Sequence, residues 1–363
     1  MSNFSREKPY NDLPALPPAA DLESVPVLKA VTRAARALAE LKGRTRTLPN
    51  PSILTSTIAL QEAKASSEIE NIVTTNDELY RGLSMETLGL SPHAKEVLHY
   101  NEALWSAAAK LSNSPLLTTN LFIEIVQVLK QNEAAIRSQP GTQIKNPTTG
   151  QIFYTPPEGE DLIRAKLADL ERFLNEPPGD LDPLIRVALA HYQFEAIHPF
   201  YDGNGRTGRI LIILYLLVTG LLEQPVLFLS RYIIEHKADY YQHLRQVTET
   251  ESWENWLLYM LNGIEQTAND TSEKIRAISS LFDELCETGK ERLSRPTYSK
   301  ELIELLFYRP YCKIKFVQDA GLAKRATASR YLHELAEIGF VTPVKYGNEL
   351  LFINHRLLEI LGK

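Results

Sequence analysis

The chain has 363 residues, of which 44% are hydrophobic and 23% are charged, and its formal net charge is −6. This length and composition predict two or three domains of an ordinary soluble protein with a hydrophobic core. The small negative charge argues against a general affinity for nucleic acid or for membranes.

The cysteine content and the N-terminus predict the compartment. The two cysteines, Cys286 and Cys312, lack metal-ligand spacing, which suits a reducing environment. The N-terminus lacks the apolar core of a signal peptide, so we expect a cytoplasmic protein without a membrane partner. Residues 1–20 are rich in proline and polar groups and are predicted to be an extended or disordered arm.

Helical segments are predicted after the arm. Residues 21–116 form a helical N-terminal region, with one helix over Val27 to Leu41 and a second beginning near Ser52. Two short strands, Thr142 to Ile144 and Ile152 to Tyr154, flank a turn over residues 146–150. They fall within a predicted core domain over residues 117–266.

The segment HPFYDGNGRTGR, from His198 to Arg209, lies between two predicted core helices. Asp182 and Pro183 are typical of a helix start, and helical spacing of apolar residues continues to about Ile197. Ile210 to Leu222 is apolar on all sides but shorter than the roughly 20 residues that span a bilayer. We therefore expect a rigidly supported loop.

The end of this loop is suited to binding anions. Gly203 and Gly205 permit positive φ and a close approach of the backbone, and the free N–H groups of the following helix start attract negative charge. Arg206 and Arg209 share a helix face and could both reach a polyphosphate.

The beginning of the loop adds reactive groups. Asp202 can hold Mg²⁺ between phosphate oxygens, and His198 can act as a general base near neutral pH. The alternative is a structural loop with a capping aspartate, a core histidine and solvated arginines. The combination favours transfer from a nucleoside triphosphate.

The loop resembles the signature of the Fic family, HPFx[DE]GNGRxxR, and meets every specified position. The resemblance implies an all-α core that transfers AMP from ATP, with Mg²⁺, to a Tyr, Thr or Ser hydroxyl of a target protein or of the chain itself. His198 would deprotonate that hydroxyl and Asp202 would hold the metal. The remaining residues implied in ATP binding are Gly203, Asn204 and Gly205 at the α- and β-phosphates, Arg206 and Arg209 at the β- and γ-phosphates, and Thr207 and Gly208. A phosphorylating branch of the family has lysine at the second glycine, so Gly205 argues against that branch.

Residues 66–71, SSEIEN, resemble the inhibitory pattern [ST]xxxE[GN] of the same family, with Ser66, Glu70 and Asn71 at its defining positions. A carboxylate of Glu70 that reached Arg209 would occupy the γ-phosphate site and block productive ATP binding. The position resembles the subclass with an N-terminal inhibitory helix. The alternative is an ordinary helix that ends in Glu-Asn.

Two further resemblances are shorter. In the family, a hairpin flap pairs with the target by strand addition, which implies docking on Ile152, Phe153 and Tyr154. An ordinary surface hairpin is the alternative. Tyr240 resembles a position where a tyrosine lies near the adenine, although two tyrosines on a helix are more often core residues.

The C-terminal part differs in charge. A polar helix is predicted over about Asn269 to Arg292, within a linker of residues 267–296. Residues 297–363 follow and carry ten Lys/Arg and seven Asp/Glu. The net charge of this segment is therefore +3, and that of the remainder is −9. A helix and turn over Phe316 to Gly321 precede a second helix, and a hairpin-like wing surrounds residues 345–348. The inner face of the second helix is predicted to comprise Ala328, Leu332, Leu335 and Gly339, and its outer face Lys324, Arg325, Thr327, Ser329, Arg330 and His333.

This pattern resembles a winged helix-turn-helix. DNA binding through residues 297–363 is one interpretation, and dimerisation or target docking is the other, so a homodimer stays open. The whole sequence predicts a mainly α fold with a helical N-terminal region, a Fic core, a short hairpin flap and a C-terminal winged helix.

Two classes of function follow from these segments. One is an autoinhibited AMP transferase. The other is a DNA-binding regulator that only senses nucleotide. His198 favours the enzyme, because a sensor has no use for a base. Removal of AMP from modified proteins by the same site, with Glu70 positioning a water, is not excluded.

Overall fold

The computed structural model describes residues 4–46, 50, 52–84, 90–145, 149–176 and 179–362. Within these residues the secondary structure is mainly α-helical with two small antiparallel sheets, which confirms the predicted mainly α fold class. In chain order the elements are α1 (Val25–Arg46), α2 (Ser52–Ile69), α3 (Asn76–Ser84), α4 (Pro92–Leu111), α5 (Thr119–Lys130), β1 (Ile144–Lys145), β2 (Ile152–Tyr154), α6 (Glu160–Asn175), α7 (Pro183–Ile197), α8 (Asn204–Val218), α9 (Leu229–Glu235), α10 (Lys237–Thr250), α11 (Trp253–Arg292), α12 (Lys300–Tyr308), β3 (Tyr311–Cys312), α13 (Ile314–Asp319), α14 (Arg325–Glu337), β4 (Thr342–Tyr346), β5 (Glu349–Ile353) and α15 (His355–Gly362). No helix among the described residues is long and apolar enough to cross a membrane.

Helices α7 and α8 lie at the centre of the core, and nearly every residue of both is buried. The carboxylate of Asp182 accepts the N–H of Leu184, and Pro183 occupies the first turn, as the sequence predicted. Helix α8 ends at Val218, before the predicted Leu222, because Gly220 takes a left-handed conformation (φ 69°). Helices α2, α4, α5, α6 and α11 pack against this pair.

Helix α11 is continuous through the position at which the sequence suggested a change from core to linker. It has 40 residues, and buried side chains such as Trp256, Met260, Ile278 and Phe282 occur along most of its length. Helix α1 packs along it. One helix therefore joins the core to the C-terminal part.

The arm over residues 4–20 forms no helix or strand and lies against the core. The Tyr10 N–H donates to the Thr155 carbonyl (3.0 Å), directly after β2. The rings of Phe4 and Tyr10 pack against Tyr154. The arm thus runs through turns and bends and is held beside the hairpin.

The hairpin itself pairs Ile144 with Tyr154 and Lys145 with Ile152. Its first strand lies further along the chain than the predicted Thr142 to Ile144, whereas the second strand has the predicted bounds. Residues 146–148 of the predicted turn lie outside the described residues.

The C-terminal part has the element order of a winged helix, with a sheet of order β3-β5-β4. On α14, Ala328, Leu332 and Leu335 are buried as predicted. The prediction for Gly339 was wrong: α14 ends at Glu337, and Gly339 is exposed with φ 83°, because it terminates the helix instead of packing beneath it. Of the predicted outer residues, Lys324, Arg325, Arg330 and His333 are exposed, whereas Thr327 and Ser329 are half-buried.

Candidate active site

His198 caps the C-terminus of α7 in a left-handed conformation (φ 49°), with its N–H donating to the Phe194 carbonyl (3.0 Å). This turn lifts the ring out of the helix at the start of the loop. Its buried Nδ1 has no hydrogen-bond partner among the described residues. Burial and, after it, the nearby Arg137 guanidinium lower the pKa of His198 to about 4. The imidazole is therefore neutral at pH 7.

The turn after His198 is closed by the side chain of Asn204. Its amide Nδ2 donates to the Phe200 carbonyl (2.7 Å), and its Oδ1 accepts the Phe200 N–H (2.9 Å). Gly203 has φ 84°, and a Cβ there would lie 3.2 Å from Val126 Cγ2. The buried side chain of Asn204 thus fixes the loop. Because both of its polar atoms bind Phe200, only the backbone of Asn204 remains to bind a phosphate.

Arg206 and Arg209 project from the first turns of α8 into the protein, and their side chains are 1% and 3% exposed. One carboxylate reaches both: Glu70 Oε1 lies 2.8 Å from Arg209 NH2, and its Oε2 lies 3.3 Å from Arg206 Nε. Arg209 also donates to the hydroxyl and the carbonyl of Ser66, both at 2.8 Å. The sequence placed these residues in two distant motifs, and the fold brings them together.

Burial would lower the pKa of Arg209, but the carboxylate of Glu70 opposes it and the net effect is to raise that pKa. The guanidinium therefore stays charged. An anionic partner offsets the desolvation cost of such a buried charge, and Glu70 supplies one.

The end of α2 positions that carboxylate. Asn71 has φ 64°, and the Ile72 N–H returns to the Ser67 carbonyl (3.1 Å), which closes the helix. A left-handed residue at a helix end is most often glycine or asparagine, so Asn71 has a clear backbone role. Gly205 is equally constrained, because a Cβ there would lie 2.7 Å from Glu70 Oε1.

Asp202 faces solvent, with a side chain 57% exposed, and contacts Lys130 Nζ (2.5 Å) and Arg206 NH2 (3.7 Å). Partial burial acts to raise its pKa, but Lys130 and Arg206 outweigh it and the pKa is lowered. The described residues contain no group of three acidic, histidine or cysteine side chains arranged to hold a metal. A single carboxylate fits Mg²⁺ that arrives with a triphosphate, because this ion keeps waters and phosphate oxygens as its other ligands.

Thr207 and Gly208 lie on the buried side of α8. Thr207 Oγ1 has no partner among the described residues. A Cβ on Gly208 would lie 2.5 Å from Glu195 Oε1 and 3.2 Å from the ring of His191. His191 Nε2 in turn lies 2.8 Å from the hydroxyl of Tyr240, which is buried. Tyr240 is therefore bound within the core, and its contact with adenine stays a prediction.

Sequence reasoning missed several residues beside the loop. Glu96 of α4 pairs with Arg206 NH1 (2.9 Å), and Lys130 of α5 approaches both Glu96 (3.9 Å) and Asp202. Arg137 donates to the His198 carbonyl (2.7 Å). Burial raises the pKa of Glu195 to about 7. No local motif marks Glu96, Lys130 or Arg137. Glu195 could have been identified from the sequence, because it lies one helical turn before His198.

Three family models match the chain. Residues 28–109 match "Fic/DOC family N-terminal", residues 116–216 match "Fic/DOC family", and residues 281–357 match "Protein adenylyltransferase SoFic-like, C-terminal domain". The last two matched ranges contain, respectively, the loop at His198–Arg209 and most of the predicted winged region.

Relatives by sequence carry the name protein adenylyltransferase. The chain is 31% identical over 156 residues to "Protein adenylyltransferase Fic" of Nematostella vectensis, which covers 42% of this chain and 35% of that protein. It is 31% identical over 162 residues to "Protein adenylyltransferase fic-1" of Caenorhabditis briggsae, and the match covers 43% of this chain and 31% of that protein. The chain thus spans about a third of the length of these relatives.

Solved structures share the fold. A Fic family protein from Desulfovibrio desulfuricans G20 aligns with 93% of this chain and 98% of its own at a TM-score of 0.59, with 18% identity. Fic-1 from C. elegans aligns with 70% of this chain and 75% of its own at a TM-score of 0.50, with 19% identity. The family models confirm the resemblance carried by the loop: the chain belongs to the Fic/DOC family.

Proposed function

We propose that this chain is an enzyme that transfers AMP from ATP to a hydroxyl side chain of a protein, including its own chain, and that Glu70 holds it inactive. The observation that carries the proposal is the Glu70 carboxylate on Arg209 (2.8 Å) and Arg206 (3.3 Å), beside a neutral His198. Two buried cations already bind an anionic group there. A triphosphate offers the same chemistry with more charge.

In the proposed reaction, a ring nitrogen of His198 takes the proton of a Ser, Thr or Tyr hydroxyl. The oxygen forms a bond to the α-phosphorus, the bond from that phosphorus to the β-phosphate oxygen breaks, and pyrophosphate leaves. Arg206 and Arg209 hold the β- and γ-phosphates, and the N-terminus of α8 adds its backbone N–H groups. Asp202 would hold Mg²⁺, which neutralises phosphate charge when bound.

The flap supplies the surface for the target in this proposal. Ile152 and Phe153 are half-buried. Tyr154 is buried, and its hydroxyl donates to the Ala196 carbonyl (2.8 Å). We therefore assign docking to the backbone edge of the hairpin and to the first two side chains, because that of Tyr154 packs in the core.

The test is Glu70→Gly in the full chain, assayed for self-labelling with α-labelled ATP and Mg²⁺. Labelling should rise about 10- to 100-fold, the range expected when a competing charge-assisted hydrogen bond of about 1.5–3 kcal/mol is removed. Glu68→Gly is the matched control, since Glu68 lies at the same helix end and makes no ion pair within the described part of the chain.

A second variant tests the coupling. Glu70→Gly combined with Arg209→Ala should label weakly, because the site is then open but the γ-phosphate has lost its partner; such non-additivity is expected of groups in contact. Equal labelling by Glu70→Gly and Glu68→Gly under every nucleotide condition would contradict the inhibitory role of Glu70.

A second candidate function concerns residues 297–363. We propose that α14 contacts DNA, because Lys324, Arg325, Arg330 and His333 are exposed along it and Lys345 is exposed on the wing. Binding of a duplex should weaken steeply with salt, and Arg325→Ala should reduce both the affinity and the salt dependence. A gel shift with no retention at low salt would remove this function and leave docking or dimerisation for the same surface.

A further inference from the structure

Arg137 lies between the loop at His198 and the hairpin, and its side chain is almost completely buried (1% exposed). Its Nε donates to the His198 carbonyl (2.7 Å), and its NH2 donates to the carbonyls of Ile197 (3.2 Å) and Pro157. Its own backbone N–H donates to the Pro199 carbonyl (2.9 Å). One residue therefore binds the backbone on both sides of His198.

The hydrogen bonds of Arg137 join the hairpin flap to the turn at His198. Arg137 lies in the segment before β1, and Pro157 lies in the segment after β2, so the two residues flank the hairpin flap. The guanidinium contacts the segment after β2 and the turn at His198 at the same time. A shift of the flap relative to the histidine would break several of these hydrogen bonds.

The partners of this guanidinium are unusual for a buried charge. The acceptors found for Arg137 among the described residues are all backbone carbonyls, and burial lowers its pKa. A buried arginine held by carbonyl dipoles instead of a carboxylate carries a large desolvation cost. The N–H donors of the Arg137 guanidinium have a fixed planar geometry, so they hold several carbonyls in fixed positions relative to one another.

Tyr201 makes a second connection between the same two segments. Its hydroxyl oxygen accepts the N–H groups of Ser138 (3.1 Å) and Gln139 (2.9 Å), which follow Arg137 directly. The ring of Tyr201 is 59% exposed, so burial does not explain its position. The loop thus holds the start of the flap by a side chain as well.

We propose that Arg137, assisted by Tyr201, is a positioning residue that fixes the flap to the backbone of His198 and so sets where a docked target hydroxyl meets the base. The proposal rests on the proposed function, because it assigns the flap to the target. Arg137 touches neither nucleotide nor target in this scheme. Its loss should therefore affect the target far more than ATP.

The first experiment separates these two effects. Arg137→Lys is placed in the full-length Glu70→Gly chain, and the acceptor is the full-length His198→Ala chain, which cannot label itself by this mechanism. The KM for the acceptor should rise by about tenfold or more, as expected when a hydrogen bond to a charged group is lost, while the Kd for ATP changes less than about twofold. Arg186→Lys is the matched control, because Arg186 also donates to a carbonyl, that of Leu181 (2.6 Å), away from the flap.

The second experiment needs no labelling. In the chain with Glu70 intact, amide hydrogen exchange of residues 149–154 should accelerate in Arg137→Lys and, to a smaller degree, in Tyr201→Phe, and should not change in Arg186→Lys. If Glu70→Gly fails to label any acceptor, the proposed function is lost, but this exchange measurement still decides the role of Arg137. Unchanged flap exchange, or an acceptor KM and an ATP Kd that rise together, would overturn the proposal.

Discussion

His198 ends α7 and Arg209 lies in α8, on either side of the loop, and burial acts to lower the pKa of both side chains. For the histidine, this leaves a neutral ring that can accept a proton. For the arginine, the carboxylate of Glu70 reverses the effect, so the cation persists. The same burial thus leaves a neutral imidazole at His198 and a charged guanidinium at Arg209, because the carboxylate of Glu70 pairs with the arginine.

The role of His198 leads to a first prediction. In the Glu70→Gly chain, His198→Ala should lower the rate of transfer by about 10²–10⁴-fold, the range typical of a lost general base. The affinity for ATP, measured by calorimetry with Mg²⁺, should stay unchanged because other residues hold the phosphates. His355→Ala, at an exposed position on α15, serves as the control. If the double variant labelled as fast as Glu70→Gly alone, His198 would not take part in the mechanism.

Glu195 leads to a second prediction, about stability. Burial, the largest effect, and the nearby Glu70 raise its pKa to about 7 from a usual value of 4.5, although Arg209 acts to lower it. A raised folded pKa means that the stabilising contribution is present below pH 4.5 and is lost as pH rises through 7. Glu195→Gln should therefore raise the free energy of unfolding by about 3 kcal/mol at pH 8 and very little at pH 4.5. Urea unfolding at both values measures this, and an equal gain at both would show that charge is not the cause.

At the scale of elements, periodicity and end signals predicted much from the sequence. Asp182 and Pro183 marked the start of α7, and the apolar side of α14 was predicted at Ala328, Leu332 and Leu335. The continuity of α11 was not predicted, because a polar stretch of a helix looks like a linker until α1 is seen packed along it.

Parts of the candidate site also exceeded what the sequence could predict. The motif identified the loop residues. Arg137 and Asn204, however, act through hydrogen bonds to the backbone carbonyls of His198 and Phe200, which no pattern of side chains predicts. Glu96 and Lys130 reach the loop from α4 and α5, far away in the chain. Contacts of this kind are set by packing, which a single sequence does not specify.

The end of α2 gives a third prediction. Asn71 adopts a left-handed conformation that costs an alanine about 1 kcal/mol or more and costs glycine little. Asn71→Ala should lower the free energy of unfolding by about that amount and raise self-labelling, because the Glu70 carboxylate loses its fixed position. Asn71→Gly should retain wild-type behaviour in both measurements. If Asn71→Ala has the free energy of unfolding and the self-labelling of wild type, the left-handed cap at Asn71 does not position Glu70.

At the scale of the whole molecule, the C-terminal sheet contacts α3, the helix that follows the segment bearing Glu70. The hydroxyls of Tyr311 and Tyr346 both donate to Asp77 Oδ1 of α3, at 2.7 and 3.0 Å. The Arg81 guanidinium lies over the Tyr346 ring and 3.2 Å from the Asp77 carboxylate. Helix α12 also packs against α2. The region predicted as a winged helix and the segment bearing Glu70 are therefore parts of one packed unit.

This contact gives the last prediction. Asp77→Ala removes the common acceptor of two tyrosine hydroxyls and the partner of Arg81, so residues of the C-terminal sheet should show faster amide exchange, with a local loss of about 1–3 kcal/mol. Because α3 follows Glu70 closely, self-labelling should rise above wild type, yet stay below Glu70→Gly, which removes the carboxylate itself. Asp319→Ala is the control, since it breaks an exposed pair with Lys315 (3.0 Å) in the same region. If the sheet loosens in Asp77→Ala while labelling stays at the wild-type level, the C-terminal part is joined to α3 without influencing Glu70.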